Sequence, residues 1–354
     1  DDDSNFQKSV SISLIHSYHF QWACDFDSGY HAFSQNEIDV TLLDIDFGKE
    51  KNGIDLLKAI KQIDPFAPVI IVSSSSETDI VVEAMKWGAC DYLCKNSDNL
   101  KDELLIRLQN ATKRSRASRK LEGMKRGLSV SDPIVSQSPA IAQIMKELAT
   151  ISPLGLFIEG ETGVGKTPIA KYANTVVEKL SRSERPFVRV NCAGLTRERL
   201  QDELFGHKEG AFTSALTERQ GLVDLAKGGD LFLDEVGDLD LDCQGELLMF
   251  LDSGEYRRIG DSLLRRSDCN IIAATNRQID ERIRSGHFRK DLFSRLAHCR
   301  ITVPPLRERK EDIAPIMEFY IQETCGQLKP YDPEILTLFE KFDWREGNVR
   351  ELIS

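Results

Sequence analysis

A glycine-rich segment near the middle of the 354-residue chain constrains its fold more than any other feature. It directly follows the predicted buried strand 154–159 and fits the pattern G-x-x-x-x-G-K-[ST], with the sequence Gly160-Glu161-Thr162-Gly163-Val164-Gly165-Lys166-Thr167. In this pattern backbone N–H groups surround a phosphate, the lysine reaches its outer oxygens, and the final hydroxyl can bind Mg²⁺ at a helix N-terminus. The sequence therefore predicts an α/β unit that binds a nucleotide.

Two later apolar runs end in polar side chains that would lie at the same edge of the sheet. The run 230–235 ends in Asp234 and Glu235. Asp234 would hold Mg²⁺, and Glu235 would polarise the attacking water. The alternative for this pair is a solvated strand end. The run 271–276 places the amide of Asn276 where it could sense a γ-phosphate.

Arg289 and Arg295 are either surface cations or arginine fingers that neutralise transition-state charge.

The first 110 residues alternate short apolar runs with amphipathic stretches, which is typical of a parallel sheet with crossover helices. Strands are predicted at 40–43 and 69–72, and a helix at 54–63. The following segment carries eight basic residues and one acid, Glu122; the basic positions are 107, 113, 114, 116, 119, 120, 125 and 126. A helical linker with a solvated basic face is the favoured interpretation, and a segment that contacts a polyanion is the alternative.

Composition excludes several classes of protein. With 57 acidic and 46 basic residues the net charge is -11, which excludes a polybasic nucleic-acid binder. The apolar runs are far shorter than the roughly 20 residues of a membrane span. Eight cysteines form no Cys-x-x-Cys pair, so buried or incidental thiols in a reduced compartment are favoured over zinc sites or disulfides. No targeting signal is visible, and we expect a soluble cytoplasmic protein with no membrane partner.

The second half of the chain resembles the AAA+ core of NtrC-type bacterial enhancer-binding proteins. Motifs of that family match at 160–167, 190–192, 203–207, 210–213, 231–235, 288–296, 305–309 and 347–352. The resemblance implies a ring-forming ATPase with ATP and Mg²⁺ between protomers. Arg289 and Arg295 would act in trans, Asn276 as sensor I and Arg350 as sensor II, and Asn191 would restrain Glu235. Hydrolysis itself stays an open question at this point.

The first part of the chain resembles a response-regulator receiver domain. Asp44 matches the phosphoacceptor position, and Ser73 and Lys95 match the hydroxyl and lysine positions. Tyr92 matches the aromatic switch, and Asp1 and Asp2 match the acidic pair. The resemblance implies that Asp1, Asp2 and Asp44 hold Mg²⁺ and that the first strand would precede residue 1. An acidic surface loop is the alternative for Asp44.

One position departs from the family. Members that activate sigma-54 polymerase carry Gly-Ala-Phe-Thr-Gly-Ala, but here Ser214 replaces the second glycine, and a serine adopts positive φ only at a cost. This departure resembles a subgroup of biofilm and flagellar regulators such as VpsR and FleQ. The VpsR-like resemblance implies cyclic di-GMP binding and work with the housekeeping sigma factor. Arg182 and Arg185 are candidates for this ligand, with a solvated loop as the alternative.

The expected fold class is α/β, a flavodoxin-like receiver domain followed by a P-loop AAA+ domain with a small helical lid. The expected segments are a receiver (1–107), a basic helical linker (108–130), an ATPase core (131–305) and a truncated lid (306–354), with a DNA-binding domain beyond. Expected partners are DNA through that domain, RNA polymerase with its sigma factor, a sensor histidine kinase, and further copies from dimer to hexamer. We expect a two-component transcriptional regulator that is controlled by oligomerisation. We expect it to respond to cyclic di-GMP and to act independently of sigma-54. The alternative is an ATP-hydrolysing activator that remodels the sigma-54 holoenzyme.

Overall fold

The computed structural model describes residues 4–14, 18–36, 38–45, 52–74, 78–95, 99–125, 133–150, 155–181, 183–212, 215, 217–327 and 331–354. Within these ranges the helices are α1 Ser4–Leu14, α2 Phe26–Gln35, α3 Gly53–Ile63, α4 Thr78–Lys86, α5 Leu100–Lys125, α6 Pro139–Thr150, α7 Lys166–Ser181, α8 Arg197–Phe205, α9 Leu222–Leu225, α10 Leu241–Ser253, α11 Ile279–Arg284, α12 Lys290–Leu296, α13 Ile313–Cys325, α14 Pro333–Lys341 and α15 Asn348–Leu352. The strands are β1 Thr41–Asp44, β2 Val69–Ser73, β3 Asp91–Cys94, β4 Leu156–Glu159, β5 Phe187–Asn191, β6 Gly206–His207, β7 Arg219–Gln220, β8 Asp230–Asp234, β9 Glu255–Tyr256, β10 Arg265–Arg266, β11 Asn270–Thr275 and β12 Cys299–Thr302. Among the described residues, no helix is both long and apolar enough to cross a bilayer.

The first sheet is parallel, with the order β1-β2-β3, and apolar side chains cover both of its faces. Its strands confirm the two runs predicted at 40–43 and 69–72 within one residue. Helix α3 confirms the predicted helix at 54–63, and its N-terminus is closed by a capping box between Asn52 and Asp55. Helices α2 and α3 pack on one face of the sheet, and α1 and α5 pack on the other. This is the two-faced burial that an all-parallel sheet requires.

Helix α5 contains most of the basic segment, and its side chains correct the interpretation of a solvated face. Arg119 is 3% exposed and donates to the Asp64 carboxylate of the first unit and to the Asp224 carbonyl of the second. Lys120 pairs with Glu178 at 2.9 Å, and Arg116 donates to the Ser183 hydroxyl. The acids that pair with these cations lie in other segments, so the local charge count did not reveal them.

The second sheet is also parallel, with the order β12-β4-β11-β8-β5. Two large apolar clusters cover its faces, one packed under α8 to α12 and the other under α6 and α7. The predicted strands at 154–159, 230–235 and 271–276 correspond to β4, β8 and β11, which are neighbours in this sheet. Their carboxyl ends therefore meet at one edge, as the fold class α/β requires.

The last helices form a small unit around Leu306, Ile313, Ile316 and Trp344. Helices α13 and α14 confirm the predicted helices at 313–325 and 333–342. The buried Asp312 carboxylate accepts hydrogen bonds from the backbone N–H groups of Gln137 (2.6 Å) and Ser138 (2.9 Å). This contact ties the helical unit to the segment that leads into α6.

Candidate functional site

The glycine-rich segment forms the turn between β4 and α7. Gly163 and Gly165 have φ values of 77° and 104°, in the region that favours glycine. A Cβ on Gly163 would lie 1.9 Å from the Gly347 carbonyl oxygen, so only glycine allows this close approach to the helical unit. Lys166 begins α7 and is 6% exposed, and its Nζ donates to the Gly160 carbonyl at 2.9 Å. The ammonium is thereby held at the mouth of the turn.

The end of β8 faces this lysine. Glu235 has a left-handed backbone conformation (φ 56°), which is uncommon for a residue other than glycine. Its Oε1 lies 3.2 Å from Lys166 Nζ, and its Oε2 accepts a hydrogen bond of 2.8 Å from the Asn276 backbone N–H. The Asn276 side chain donates to the Thr162 hydroxyl at 2.9 Å. The structure therefore brings the predicted lysine, glutamate and asparagine together around the glycine-rich turn.

The predicted contact between Asn191 and Glu235 is not formed in this structure. Asn191 instead accepts a hydrogen bond from the Ala193 backbone N–H (3.0 Å) through its side-chain oxygen. Arg189, which lies two positions earlier on β5, donates to Asp234 Oδ2 at 2.7 Å. Sequence reasoning missed this arginine, although its position on the same strand face as Asn191 was a usable signal.

Two side chains whose roles sequence reasoning missed, Arg307 and Asn348, connect the predicted turn to the helical unit. Arg307 makes two hydrogen bonds to the Glu161 carboxylate, of 2.6 and 2.8 Å. Asn348 donates to the same carboxylate and to the Thr162 carbonyl, both at 3.1 Å. The hydrogen bond from Arg307 lowers the pKa of Glu161 below its usual value, so this carboxylate is ionised at neutral pH. We call these four residues the clamp.

The cavity beside the turn has a polar side and an apolar side. The polar side includes Lys166, Thr167, Asp234, Glu235 and Arg350. The apolar side includes Ile134, Ile141, Ile316 and Tyr320, which offer a nucleobase a non-polar surface. A hydroxyl and a carboxylate are oxygen ligands of the kind Mg²⁺ accepts together with nucleotide phosphates. The residues present therefore fit both a nucleoside triphosphate and its metal ion.

The two predicted arginine fingers lie outside this cavity. Arg289 precedes α12 and pairs with Asp291, with an NH2–Oδ2 distance of 2.8 Å, and 42% of its side chain is exposed. Arg295 pairs with Asp252 at 2.9 Å, with 58% of its side chain exposed. Both guanidinium groups are therefore open to a neighbouring molecule, as a role in trans would need.

In the first sheet, the carboxyl ends of the strands bring three of the predicted receiver residues together. Asp44 ends β1 and Ser73 ends β2, and both are buried. Lys95, directly after β3, places its Nζ 2.5 Å from Asp44 Oδ2. Tyr92 lies within β3, where burial raises the pKa of its phenol. The predicted metal ligands Asp1 and Asp2 lie outside the described residues.

The remaining predictions concern two loops. Ser214 and Arg182 lie outside the described residues. At the base of the Ser214 loop, the Gly210 N–H donates to the Ala215 carbonyl at 2.8 Å, and the Phe212 ring packs against His207 at a centroid distance of 4.8 Å. Arg185 is engaged by the buried Asp230 carboxylate, at 2.7 Å from Nε and 3.0 Å from NH2.

Comparison with protein families gives two matches. Residues 1–109 match the response regulator receiver domain, and residues 134–302 match the sigma-54 interaction domain. Together the two matches account for most of the chain and follow the same order as its two sheets.

Comparison with curated proteins gives relatives that span nearly the whole chain. Regulatory protein AtoC of Escherichia coli (strain K12) is 36% identical, over 99% of this chain and 77% of the relative. The DNA-binding transcriptional regulator NtrC of Salmonella typhimurium is 37% identical, over 91% of this chain and 68% of the relative. Among solved structures, NtrX from Brucella abortus in complex with ATP is 29% identical with a TM-score of 0.55, covering 100% of this chain and 77% of that one.

Proposed function

This chain belongs to the NtrC-type family of enhancer-binding response regulators, and we propose that it is an ATPase whose turnover is controlled by phosphorylation of its receiver domain. In this proposal a sensor histidine kinase phosphorylates Asp44 in the cytoplasm. ATP and Mg²⁺ bind between copies of the chain, and Arg289 and Arg295 reach the nucleotide of a neighbour. RNA polymerase is the target, on DNA bound by a domain outside these residues.

One observation carries the proposal: Lys166, Glu235 and Asn276 converge on the glycine-rich turn from three different strands or their following segments. Lys166 is placed to contact phosphate oxygens, and Glu235 to accept a proton from an attacking water. Mg²⁺ bound by Asp234 and Thr167 would supply charge neutralisation at the phosphates. The Asn276 backbone holds the Glu235 carboxylate, so this base is oriented before substrate binds.

Calorimetry and phosphate release test this proposal. We expect the chain to bind ADP and to hydrolyse ATP, and we expect Lys166→Ala to lose ADP binding because the variant removes the ammonium that is held at the mouth of the turn. Wild-type chain that binds no adenine nucleotide would contradict the proposal.

For the target we propose the sigma-54 holoenzyme, since the match to the sigma-54 interaction domain, residues 134–302, includes the glycine-rich turn and the loop at 210–215. A second candidate, action with the housekeeping sigma factor, is favoured by Ser214 in that loop. Transcription assays with each holoenzyme separate them, and activity with the housekeeping holoenzyme alone would decide for the second. Ser214→Gly distinguishes the cause: if the serine limits sigma-54 activation, the glycine variant activates more strongly.

Cyclic di-GMP binding is part of the second candidate function, in which the chain acts with the housekeeping sigma factor. The engagement of Arg185 by Asp230 means that this guanidinium would have to leave a buried carboxylate to bind the ligand, which weakens its candidacy. Titration of the chain with cyclic di-GMP by calorimetry is the test. Binding at micromolar ligand that Arg185→Gln abolishes would support this role, and no heat at that concentration would remove it.

A further inference from the structure

Arg189 is a cation beside the carboxylate that we assign to Mg²⁺. Its side chain extends along β5 toward the carboxyl end of the sheet, and NH2 lies 2.7 Å from Asp234 Oδ2. Asp234 is the more buried partner, with 9% of its side chain exposed against 34% for Arg189. Both side chains line the nucleotide cavity. The arginine therefore lies at the site and is more than a strand-face residue.

Four of the charged side chains that line the cavity form two pairs. Lys166 faces Glu235 at 3.2 Å, and Arg189 faces Asp234 at 2.7 Å. A carboxylate oxygen that accepts from a guanidinium has less electron density available for a metal ion, and two cations close to one carboxylate repel each other. Arg189 and a divalent cation would thus compete for Asp234.

We infer that Arg189 is a positioning residue that competes with Mg²⁺ for Asp234 and raises the Mg²⁺ concentration that nucleotide binding requires. The inference rests on the proposed nucleotide site and adds a determinant of its metal dependence. When Mg²⁺ binds Asp234, the guanidinium would be released inside the same cavity, where its fork could contact the phosphates of a bound nucleotide. Arg189 exchanges one anionic partner for another.

The test is the Mg²⁺ dependence of ADP binding, measured by calorimetry over a series of Mg²⁺ concentrations. Arg189→Gln removes the charge and leaves a shorter polar side chain. We expect its Mg²⁺ midpoint to fall about five-fold, in the range that a partly exposed ion pair can contribute. Arg189→Lys keeps the charge, and its midpoint should stay close to that of the wild type. If Arg189 had only a structural role, the Mg²⁺ midpoint would not fall in the variant that lost the charge and stay unchanged in the variant that kept it.

Arg197→Gln is the matched control, because Arg197 also pairs with a carboxylate, Glu246, but lies on α8 outside the cavity. Its midpoint should equal that of the wild type. ADP binding by the wild type with equal midpoints in Arg189→Gln and wild type would overturn this inference and leave the proposed function standing. Absence of ADP binding by the wild type at every Mg²⁺ concentration would overturn both. Thermal unfolding of each variant identifies loss of fold; if Arg189→Gln does not fold, Arg189→Met, which also removes the charge, takes its place with the same expected fall of the midpoint.

Discussion

Both parallel sheets place a carboxylate beside a lysine at the carboxyl ends of their strands, but the two edges are built from different lengths of chain. In the receiver, Asp44 and Lys95 are 51 positions apart and lie at the ends of β1 and β3, the two strands that flank β2 in one sheet. At the nucleotide site, the clamp joins Glu161 to Asn348 across 187 positions. Asp44 and Lys95 meet within one sheet, whereas the hydrogen bonds of the clamp form only when the helical unit is docked.

This difference assigns distinct tasks to the two edges. Phosphorylation of Asp44 would change the charge that Lys95 faces, so the receiver can respond to chemistry at a single side chain. The nucleotide edge connects the turn to α15 through Glu161, so we expect any movement of the helical unit to reach the backbone of the turn. The buried Arg119 connects the two regions, since it contacts Asp64 on one side and Asp224 on the other.

The largest effect is expected for substitution of Glu235, which should reduce ATP turnover without abolishing ADP binding. Glu235→Gln keeps the size of the side chain and removes its basicity, so we expect ATP turnover to fall by about 10²- to 10⁴-fold while ADP still binds. Phosphate release and calorimetry measure the two properties. The control is Asp238→Asn, an acid three residues later that pairs with Arg277. Wild-type turnover in Glu235→Gln would exclude this glutamate as the base.

The next effect concerns the connection between the two regions. Burial alone would raise the pKa of Asp64, but Arg119 and Lys227 lower it, so the carboxylate is ionised and needs its partner. Arg119→Met leaves that charge buried without the guanidinium, and we expect the free energy of unfolding in urea to drop by about 3 kcal/mol. Arg114→Met, an exposed arginine on the same helix, is the control.

Two results would sharpen this prediction. Adding Asp64→Asn to Arg119→Met should recover part of the loss, because the unpaired charge is then removed. A drop equal to that of Arg114→Met would show that Arg119 does not link the two regions energetically.

A smaller effect is expected at the clamp. Arg307→Gln removes both hydrogen bonds to Glu161, and we expect ADP affinity to fall by about ten-fold, equivalent to about 1.4 kcal/mol. The control is Arg300→Gln, because Arg300 makes a similar two-bond contact with Glu159 without touching the turn. Equal affinities in the two variants would mean that the clamp does not support nucleotide binding.

The pH dependence of the clamp follows from the lowered pKa of Glu161. A carboxyl whose pKa is lower in the folded state contributes stability above its unfolded value, near pH 4, and loses it as pH falls further. ADP affinity should therefore show no dependence on Glu161 between pH 6 and 8 on this account. A Glu161→Gln variant that removes a pH dependence in that interval would contradict it.

The sequence predicted the edges of both sheets better than the contacts between segments. Lys166, Asp234 and Glu235 could be predicted from the sequence, because the glycine-rich pattern places its lysine at the start of a helix and an apolar run places its final acids at the end of a strand. Arg307 and Arg119 were not, because an arginine in a polar stretch looks solvated until its partner is known. Those partners, Glu161 and Asp64, lie in other segments, and only tertiary packing brings them close.

Control of ATP turnover by the receiver can be tested by phosphorylating the chain in vitro. ATP turnover of the chain is compared before and after treatment with acetyl phosphate, in the wild type and in Asp44→Asn. Our account predicts that treatment changes turnover severalfold in the wild type and leaves the Asp44→Asn variant unchanged, since only the wild type can form the acyl phosphate. Stoichiometric phosphorylation of wild-type Asp44 with unaltered turnover would contradict the account.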